Sequence, residues 1–339
     1  MSRLRAIVVG HRGQDGRLLV DRLRERGDRV LGIDRDVSEV VGEGPGEPVT
    51  VADVDSVAVA VETFKPDEIY YLAAHHRSSQ GTARADALGE DLREGLRVNV
   101  DGLVNFLEAL RSRAPEARLF YASSSLIFGK GGADERQDEE TPWTPMCEYG
   151  LMKALGMQAC RLYRERCGVY AACGILYNHE SAYRPPDFLS QKVVLAARRI
   201  RDGCGEKLTL GDLDAVTDWS YAPDVVDAFP RILSLDRPAD FVVASGEGHT
   251  VREFVEAVFT HVGLDWRDHV EQAPGLLYRV RSARIGNPRR LREATGWRRS
   301  LTFEEMVRRL VDDAAEGRDS VSSKCELACA VGERGEVGH

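Results

Sequence analysis

The fold of this chain is decided by residues 5–16, RAIVVGHRGQDG, in which a short apolar run leads directly into a glycine-rich turn. The run from Arg5 to Val9 has the length and composition of a buried β-strand. An amphipathic helix is predicted from about Arg17 to Arg26, and a second strand from Arg29 to Ile33. Strand, turn, helix and strand in this order are typical of a parallel, doubly wound sheet.

The turn has the spacing of a dinucleotide-binding site. Gly10, Gly13 and Gly16 follow the pattern G-x-x-G-x-x-G, and glycines there let the backbone approach a pyrophosphate. The start of the next helix offers free N–H groups and the positive end of its dipole. An ordinary turn is the alternative interpretation, and the flanking strand, helix and acid make it the weaker one.

The acid that ends the second strand indicates which dinucleotide binds. Asp34 stands where a carboxylate accepts both ribose hydroxyls, which favours NAD over NADP because a 2′-phosphate would be repelled. Arg35 beside it weakens that preference, and Asp53 stands where an acid meets an adenine amino group. The other predicted cofactor contacts are Arg12, Gln14, Asp15, Val54, Leu72, Ala73, Ala74, Asn99, Tyr149, Lys153, Tyr177 and His179.

A tyrosine and a lysine, Tyr149 and Lys153, lie four residues apart in a helix predicted from Cys147 to Arg166. At that spacing both side chains share one helical face. An ammonium near a phenol stabilises the phenolate, so Lys153 is expected to lower the pKa of Tyr149 toward neutrality. Such a tyrosine exchanges a proton with a sugar hydroxyl while a nicotinamide takes or returns hydride. The pair alone is equally typical of a solvated helix face, and the glycine turn is what favours catalysis.

Composition excludes several classes of function. A net charge of -9 argues against binding nucleic acid or an anionic membrane. No apolar run reaches the length of a membrane span and no signal peptide is visible, which predicts a cytoplasmic protein. Seven cysteines without a C-x-x-C pair indicate neither a disulfide framework nor a metal site. A small-molecule substrate is therefore expected.

Further alternation of strands and helices defines the expected fold class, an α/β Rossmann-type doubly wound parallel sheet with a smaller C-terminal α/β substrate lobe. Residues 1–176 are predicted to form the NAD-binding domain, to which part of 215–245 returns. Residues 177–317 are predicted to form mainly the substrate-binding lobe, and 318–339 a mobile tail. Further predicted strands are Glu68–Leu72, Arg118–Ala122, Tyr170–Leu176, Lys207–Leu210 and Phe241–Ala244, and further predicted helices are Asp55–Phe64, 85–113, Phe188–Arg201, Val251–Val262 and Phe303–Glu316.

Four longer segments carry a family resemblance: GQDG at 13–16, GILYNHES at 174–181, GDLDA at 211–215 with Asp218-Trp219, and VREFV at 251–255. With the motifs above, they resemble the extended short-chain dehydrogenase/reductases and, within them, the GDP-mannose 4,6-dehydratases. The similarity runs from about Ile7 to Leu310. It implies a tightly bound nicotinamide cofactor, transient oxidation at sugar C4, and association into a homodimer or homotetramer.

In that family a Thr or Ser, a Glu, a Tyr and a Lys do the chemistry. The resemblance places Ser124, Tyr149 and Lys153 at three of these positions and Leu126 at the fourth, that of the Glu. Loss of water requires removal of the C5 proton, which the C4 ketone makes acidic, and leucine cannot act as a base. The candidate replacements are His76, Glu148 and, less favoured, His75, while the two histidines are as readily interpreted as a polar loop pair.

A second departure concerns the diphosphate, which relatives hold with Arg and Lys from three places. Lys192 is kept, but Thr217 stands where an Arg is usual, Tyr183-Arg184 replaces an arginine pair, and residues 279–282 (RVRS) lack a Glu. Fewer guanidinium groups predict fewer phosphates, as in a nucleoside or its monophosphate, unless Arg281 or Arg284 compensates. The predicted substrate contacts are Ser124, Ser125, Leu126, Asn178, Lys192, Thr217, Arg279 and Arg281.

Three functions are therefore weighed. An NAD-dependent dehydratase with a relocated base follows from the overall resemblance. An epimerase or ketoreductase needs Ser124, Tyr149 and Lys153 but no Glu, so Leu126 favours it. A non-catalytic dinucleotide-binding regulator is disfavoured by the intact Ser-Tyr-Lys set. Dehydration is the preferred prediction.

Overall fold

A computed structural model describes residues 3–35, 37–41, 43–75, 88–129, 136–273 and 283–316. The predictions for His76, Arg279, Arg281 and the tail 318–339 fall outside the described residues. The strands are β1 (Arg5–Val9), β2 (Arg29–Asp34), β3 (Val37–Val40), β4 (Gly44–Pro45), β5 (Glu68–Tyr71), β6 (Arg118–Ser124), β7 (Arg136–Gln137), β8 (Tyr170–Leu176), β9 (Asn178–Glu180), β10 (Leu208–Leu210), β11 (Val216–Tyr221), β12 (Asp240–Val243), β13 (Gly248–Thr250), β14 (Val270–Gln272) and β15 (Ile285–Gly286).

The α-helices are α1 (Gln14–Glu25), α2 (Val54–Phe64), α3 (Leu88–Leu96), α4 (Gly102–Arg113), α5 (Glu148–Cys167), α6 (Leu189–Arg201), α7 (Ala222–Leu233), α8 (Val251–His261), α9 (Arg289–Thr295) and α10 (Phe303–Glu316). A π-helical turn, Arg97–Asp101, joins α3 to α4, and a 3₁₀ turn, Ser125–Ile127, follows β6. Within the described residues, no helix is both long enough and apolar enough to span a membrane.

The central sheet has the strand order β12-β8-β6-β5-β1-β2-β3-β4 within the described residues. The pairs from β12 to β2 are parallel, and β3 and β4 add an antiparallel edge. Parallel strands need crossover connections, which place helices on both faces. Helices α2, α4 and α5 pack on one face, and α1 and α7 pack on the other. The predicted doubly wound α/β fold is thereby confirmed.

A third core lies outside the sheet and joins α6, α8 and α10 with β10 and β11. Trp219 of β11 is packed there against Phe254 and Phe303. The chain returns to the central sheet at β12, which pairs with β8. The division into a cofactor domain and a substrate lobe at the predicted boundaries remains our proposal.

Two local elements differ from the sequence prediction. Val37–Val40, a strand antiparallel to β2, was not among the predicted strands. The helix expected over 85–113 is interrupted in its described part by the π-helical turn at Arg97–Asp101. Such single π turns occur frequently at functional sites, because the widened turn redirects a side chain.

Candidate active site

The glycine turn joins β1 to α1 and has the shape that a dinucleotide phosphate needs. Gly10 has φ +89°, and a Cβ there would lie 2.8 Å from the Ala73 backbone nitrogen. A Cβ on Gly16 would lie 2.1 Å from the Gly10 carbonyl oxygen, so the turn closes tightly only with glycine. Gly13 begins α1 without a side-chain cap, which leaves the N–H groups of the first turn for a ligand.

The acid at the end of β2 is held by backbone donors. The Arg12 N–H donates to Asp34 Oδ2 over 3.0 Å, and the Arg35 N–H donates to Asp34 Oδ1 over 2.8 Å. These two bonds orient the carboxylate at the carboxyl end of the strand. The position is the one at which a parallel sheet of this kind binds the ribose of a dinucleotide.

The other predicted adenine-side residues lie at the ends of neighbouring elements. Asp53 caps α2, and its carboxylate accepts the Ser56 N–H over 2.8 Å, so one carboxylate oxygen is already engaged. Val54 follows it with 53% of its surface exposed. Leu72, Ala73 and Ala74 follow β5 beside the glycine turn, where the Leu72 N–H donates to the Val9 carbonyl.

The 3₁₀ turn after β6 lies against the start of α5. Ser124 directly precedes that turn, and Tyr149 lies in the first turn of α5. A Cβ on Gly150 would lie 2.2 Å from the Leu126 carbonyl oxygen, so the two segments touch backbone to backbone. Ser124 Oγ accepts the Leu126 N–H over 3.2 Å and keeps its own proton for donation. Leu126 and Tyr149 are half-buried, whereas Ser125 is buried.

Lys153 lies in the core behind Tyr149, with only 1% of its surface exposed. Its Nζ donates to the Ala122 carbonyl over 2.8 Å and lies 4.9 Å and 5.6 Å from the ring centroids of Tyr121 and Tyr149. Burial lowers the pKa of Lys153 to about 7 because the charged form is poorly solvated, and Asp15 opposes this. The lysine is therefore poised between its charged and neutral forms near neutral pH.

The prediction that Lys153 lowers the pKa of Tyr149 toward neutrality was wrong. Burial raises the pKa of Tyr149 above its usual value, and the opposing field of Arg184 does not outweigh it. Shared helical spacing placed Lys153 near the ring, but its ammonium bonds to the backbone of β6 instead of the phenol. Desolvation, which sequence spacing does not report, is the dominant effect.

Asn99 sits within the π-helical turn and is fully buried. Its Nδ2 donates to the His75 carbonyl over 3.4 Å, and within the part of the chain that the structure describes its Oδ1 has no hydrogen-bond partner. An unpaired buried oxygen is costly, so its persistence beside the predicted site indicates a ligand-directed group.

A polar network joins the start of α1 to the segment after β8. His179 Nε2 lies 3.0 Å from both carboxylate oxygens of Asp15, and its Nδ1 lies 2.6 Å from the Tyr177 carbonyl. Gln14 donates to the His179 carbonyl over 3.1 Å. Burial opposes ionisation of both partners, yet their mutual attraction lowers the pKa of Asp15 and raises that of His179. The network fixes the glycine turn against β9.

Three other predicted contacts have defined surroundings. Tyr177 is buried and its hydroxyl donates to Gln137 over 2.7 Å, so its side chain is occupied within the protein. Asn178 is exposed in β9. Thr217 is half-buried in β11, where it pairs with His249 and bridges to Arg284.

The described candidates for the missing base have different surroundings. His75 Nε2 lies 3.6 Å from Asp91 Oδ1 of α3, which directs that ring toward the helix. Glu148 is the first residue of α5, half-buried and adjacent to Tyr149. Sequence reasoning missed Asp91, which lies beside His75 through a tertiary contact that no local motif reveals. It considered Arg184 only as a phosphate ligand and did not predict that its charge acts on Tyr149.

A cationic side chain on the predicted substrate side is already engaged. Lys192 Nζ donates to the Thr209 carbonyl over 3.0 Å, and burial lowers the pKa of this lysine. Arg184 Nε lies 3.4 Å from the buried Glu180 carboxylate, and its guanidinium lies 3.9 Å from the Phe188 ring centroid. The Glu180 carboxylate offsets part of the positive charge of Arg184, and the Thr209 carbonyl occupies one of the three N–H donors of Lys192.

Comparison with known proteins identifies the family. The model of the GDP-mannose 4,6 dehydratase family matches residues 7–310. The chain belongs to this family. It is 33% identical to GDP-mannose 4,6 dehydratase 1 of Arabidopsis thaliana, over 92% of this chain and 90% of the relative. It is 31% identical to the human GDP-mannose 4,6 dehydratase, over 90% of each chain.

Solved structures share the fold. UDP-glucose 4-epimerase of Thermus thermophilus, in complex with NAD, has a TM-score of 0.76 and 27% identity, covering 91% of this chain and 98% of its own. The dTDP-glucose 4,6-dehydratase of Bacillus anthracis, also in complex with NAD, has a TM-score of 0.80 and 19% identity, covering 94% and 99%. At that lower identity the second likeness concerns the fold alone.

Proposed function

We propose that this family member is an NAD-dependent dehydratase of a sugar nucleotide or nucleoside, which oxidises a ring hydroxyl at C4 transiently and removes water across C5 and C6. The observation that carries the proposal is that Ser124, Tyr149 and buried Lys153 lie at the carboxyl end of the central sheet, as the glycine turn does. The family membership and the NAD complex of the 27%-identical epimerase support it.

The residues of the turn fit a dinucleotide, because Gly10 and Gly16 have no room for a side chain and Gly13 leaves the helix start uncapped. These glycines would lie against the pyrophosphate, and Asp34 would accept the ribose hydroxyls. Bound there, NAD⁺ would supply the acceptor for a hydride from the sugar carbon and, once reduced, the donor that returns it.

Side chains of this protein carry out the proton transfer at the sugar hydroxyl. Tyr149 accepts the proton of the sugar hydroxyl, Ser124 hydrogen-bonds that oxygen, and the ammonium of Lys153 stabilises the phenolate. Because burial raises the pKa of Tyr149, the charged form of Lys153 is needed for this transfer. Turnover therefore depends on how Lys153 is protonated.

A second base removes the C5 proton while hydroxide leaves C6 and is protonated to water. Leu126 cannot do this, so we assign the step to His76 or to Glu148, with His75 the less favoured choice. His76→Ala and Glu148→Gln test the assignment, and loss of about 10²-fold or more in water elimination identifies the base. Binding of NAD, measured in parallel, should be retained; survival of full turnover excludes the residue that was changed.

The second candidate is an epimerase or ketoreductase, which the absence of a carboxylate at Leu126 favours. Incubation in D₂O with candidate nucleosides and nucleotide sugars, followed by mass spectrometry, separates the functions. A product lighter by one water, with deuterium at C5 or C6, supports dehydration. An isomer of unchanged mass supports epimerisation, and steady consumption of NADH supports reduction.

We also propose that the substrate carries fewer phosphates than a diphosphate sugar, in keeping with Thr217 and with the internal bond of Lys192. Calorimetric titration of a nucleoside, its monophosphate and the matching diphosphate sugar tests this. Equal or tighter binding of the nucleoside supports the proposal, and a strong preference for the diphosphate contradicts it.

We further propose a homodimer or homotetramer, assembled through α3 and α5. Leu151, Leu155 and Leu162 of α5 are 44%, 42% and 37% exposed, and their spacing places them along one side of the helix. Leu88 and Leu96 of adjacent α3 are 45% and 39% exposed. Light scattering of the wild type and of Leu155→Glu tests the assembly, and a monomeric wild type contradicts it. The predicted cytoplasmic location is likewise a proposal, which cell fractionation tests.

A further inference from the structure

One side chain of the glycine turn, His11, has no role in the account above. Its ring is buried, with 6% of the residue exposed, and lies directly on β2. A Cβ on Gly32 would come within 2.6 Å of the His11 ring, so the strand accommodates the imidazole only because residue 32 is glycine. The ring is thus confined between the turn and the strand that ends at Asp34.

The two ring nitrogens of His11 face two carboxylates. Nε2 lies 2.9 Å from Glu39 Oε1, and Glu39 of β3 is the cross-strand partner of Gly32. Nδ1 lies 4.0 Å from Asp34 Oδ2, which is ion-pair range but too long for a hydrogen bond. Nδ1 is buried and has no hydrogen-bond partner among the described residues.

An unpartnered buried nitrogen aimed at the predicted ribose acceptor indicates a function for His11. Since Glu39 holds Nε2 and Gly32 lies under the ring, the imidazole cannot easily turn Nδ1 elsewhere. Asp34 Oδ2 already receives the Arg12 N–H. His11 therefore completes the set of groups that orient the Asp34 carboxylate.

We propose that His11, anchored by Glu39, is a specificity-determining residue that positions Asp34 to accept ribose hydroxyls and so favours NAD over NADP. The inference rests on the proposed NAD dependence and goes beyond it. His11 is a positioning residue: it acts through Asp34 and touches neither the sugar nor the reacting atoms. Glu39 contributes by fixing the ring, not by contacting the cofactor.

Two substitutions separate the roles of the ring nitrogens. His11→Asn offers an amide nitrogen near the place of Nδ1 and keeps a donor toward Asp34. His11→Gln offers one near the place of Nε2 and keeps only the contact with Glu39. Glu39→Gln, at a partly exposed position, leaves the buried ring in place and weakens its anchor.

Dissociation constants for NAD⁺ and NADP⁺ are measured by calorimetry on the full-length wild type and on each variant, together with melting temperatures. We expect His11→Gln and Glu39→Gln to reduce the preference for NAD⁺ by roughly fivefold to tenfold, the size expected for loss of one partly buried polar contact. His11→Asn should stay within about twofold of the wild-type ratio.

An unchanged ratio in both His11→Gln and Glu39→Gln overturns the role of His11, as does an equal loss of preference in His11→Asn and His11→Gln. A general loss of both affinities with a lower melting temperature in every variant also contradicts it, since a packing role would do that. Failure of the wild type to bind either dinucleotide would instead overturn the proposed function itself.

Discussion

The two ends of the central sheet differ in how far their buried polar groups are hydrogen-bonded. At the amino-terminal ends of the strands, Glu68 Oε2 accepts the Tyr70 hydroxyl over 2.8 Å and pairs with Arg26. Arg26 also pairs with Asp28, whose other oxygen accepts the Leu4 N–H over 3.1 Å. In the described part of the chain, no buried side-chain atom of this group lacks a hydrogen-bond partner.

At the carboxyl ends, three buried polar atoms are unpaired. Asn99 Oδ1, Ser123 Oγ and His11 Nδ1 have no hydrogen-bond partner in the segments that the structure describes. Folding alone would select against such atoms, because each costs about 1–3 kcal/mol when left unsatisfied. We therefore expect the amino-terminal end to contribute mainly to stability and the carboxyl end mainly to binding. Substitutions at the first should change the free energy of unfolding, and substitutions at the second should change binding or turnover.

The largest effect is expected at the carboxyl end, from Tyr149→Phe. Removing the hydroxyl that exchanges the substrate proton should lower kcat by about 10³-fold or more. Steady-state kinetics on the identified substrate gives the measurement, with NAD affinity and melting temperature as controls. Full activity in this variant would mean that the phenol is not the proton acceptor.

Glu68→Ala tests the opposite end. It leaves the buried Tyr70 hydroxyl without its acceptor and removes one of the two carboxylates that pair with Arg26, and we expect a loss of about 2 kcal/mol in the free energy of unfolding. Urea denaturation measures it, and Glu68→Gln is the matched control with a smaller loss. Turnover of the folded fraction should be unchanged; a specific fall in kcat would show that the two ends are coupled.

Thr217→Arg addresses the substrate side of the carboxyl end. Restoring a guanidinium to this half-buried position should tighten binding of a diphosphate sugar by about tenfold, because a charge-assisted contact to phosphate is gained. Thr217→Gln controls for side-chain size. No gain with arginine would mean that position 217 does not face the phosphates.

Lys153→Met should have the smallest effect on the folded state, and that effect depends on pH. The folded-state pKa of Lys153, about 7, lies below the ordinary 10.5, so the folded protein releases this proton first. Burying the charge costs stability below about pH 7, and the cost is relieved as the pH rises toward 10.5. The variant should therefore gain a few degrees in melting temperature at about pH 6 and less at about pH 9.5. An equal or larger gain at the higher pH would contradict the lowered pKa.

The strands of the parallel core could be predicted closely, because each is an apolar run that can be recognised from its own sequence. Arg5–Val9 and Tyr170–Leu176 have the predicted bounds. The strand Val37–Val40 could not be found this way, since its polar residues form a strand only by pairing with β2. Helical spacing correctly placed Tyr149 and Lys153 in one helix, α5.

The pKa values in the site could not be predicted from the sequence either, because they also depend on tertiary contacts. The pKa values of Tyr149 and Lys153 follow from burial by β6 and the rest of the fold, which spacing within one helix does not report. His11 was not predicted as a functional residue, because no local motif distinguishes it from the other residues of the turn. Its signal was present in Gly32, two residues before Asp34, where a glycine in a buried strand indicates close approach of another group.

The central claim is that Tyr149, backed by Lys153, exchanges the proton of a sugar hydroxyl beside a dinucleotide held by the Gly10–Gly16 turn. A crystal structure of the protein with NAD⁺ and a substrate analogue tests it most directly. We predict the pyrophosphate against that turn, and the Tyr149 hydroxyl within about 3 Å of the sugar oxygen whose carbon faces the nicotinamide. A phenol turned away from the nicotinamide, or a dinucleotide bound elsewhere, would contradict it.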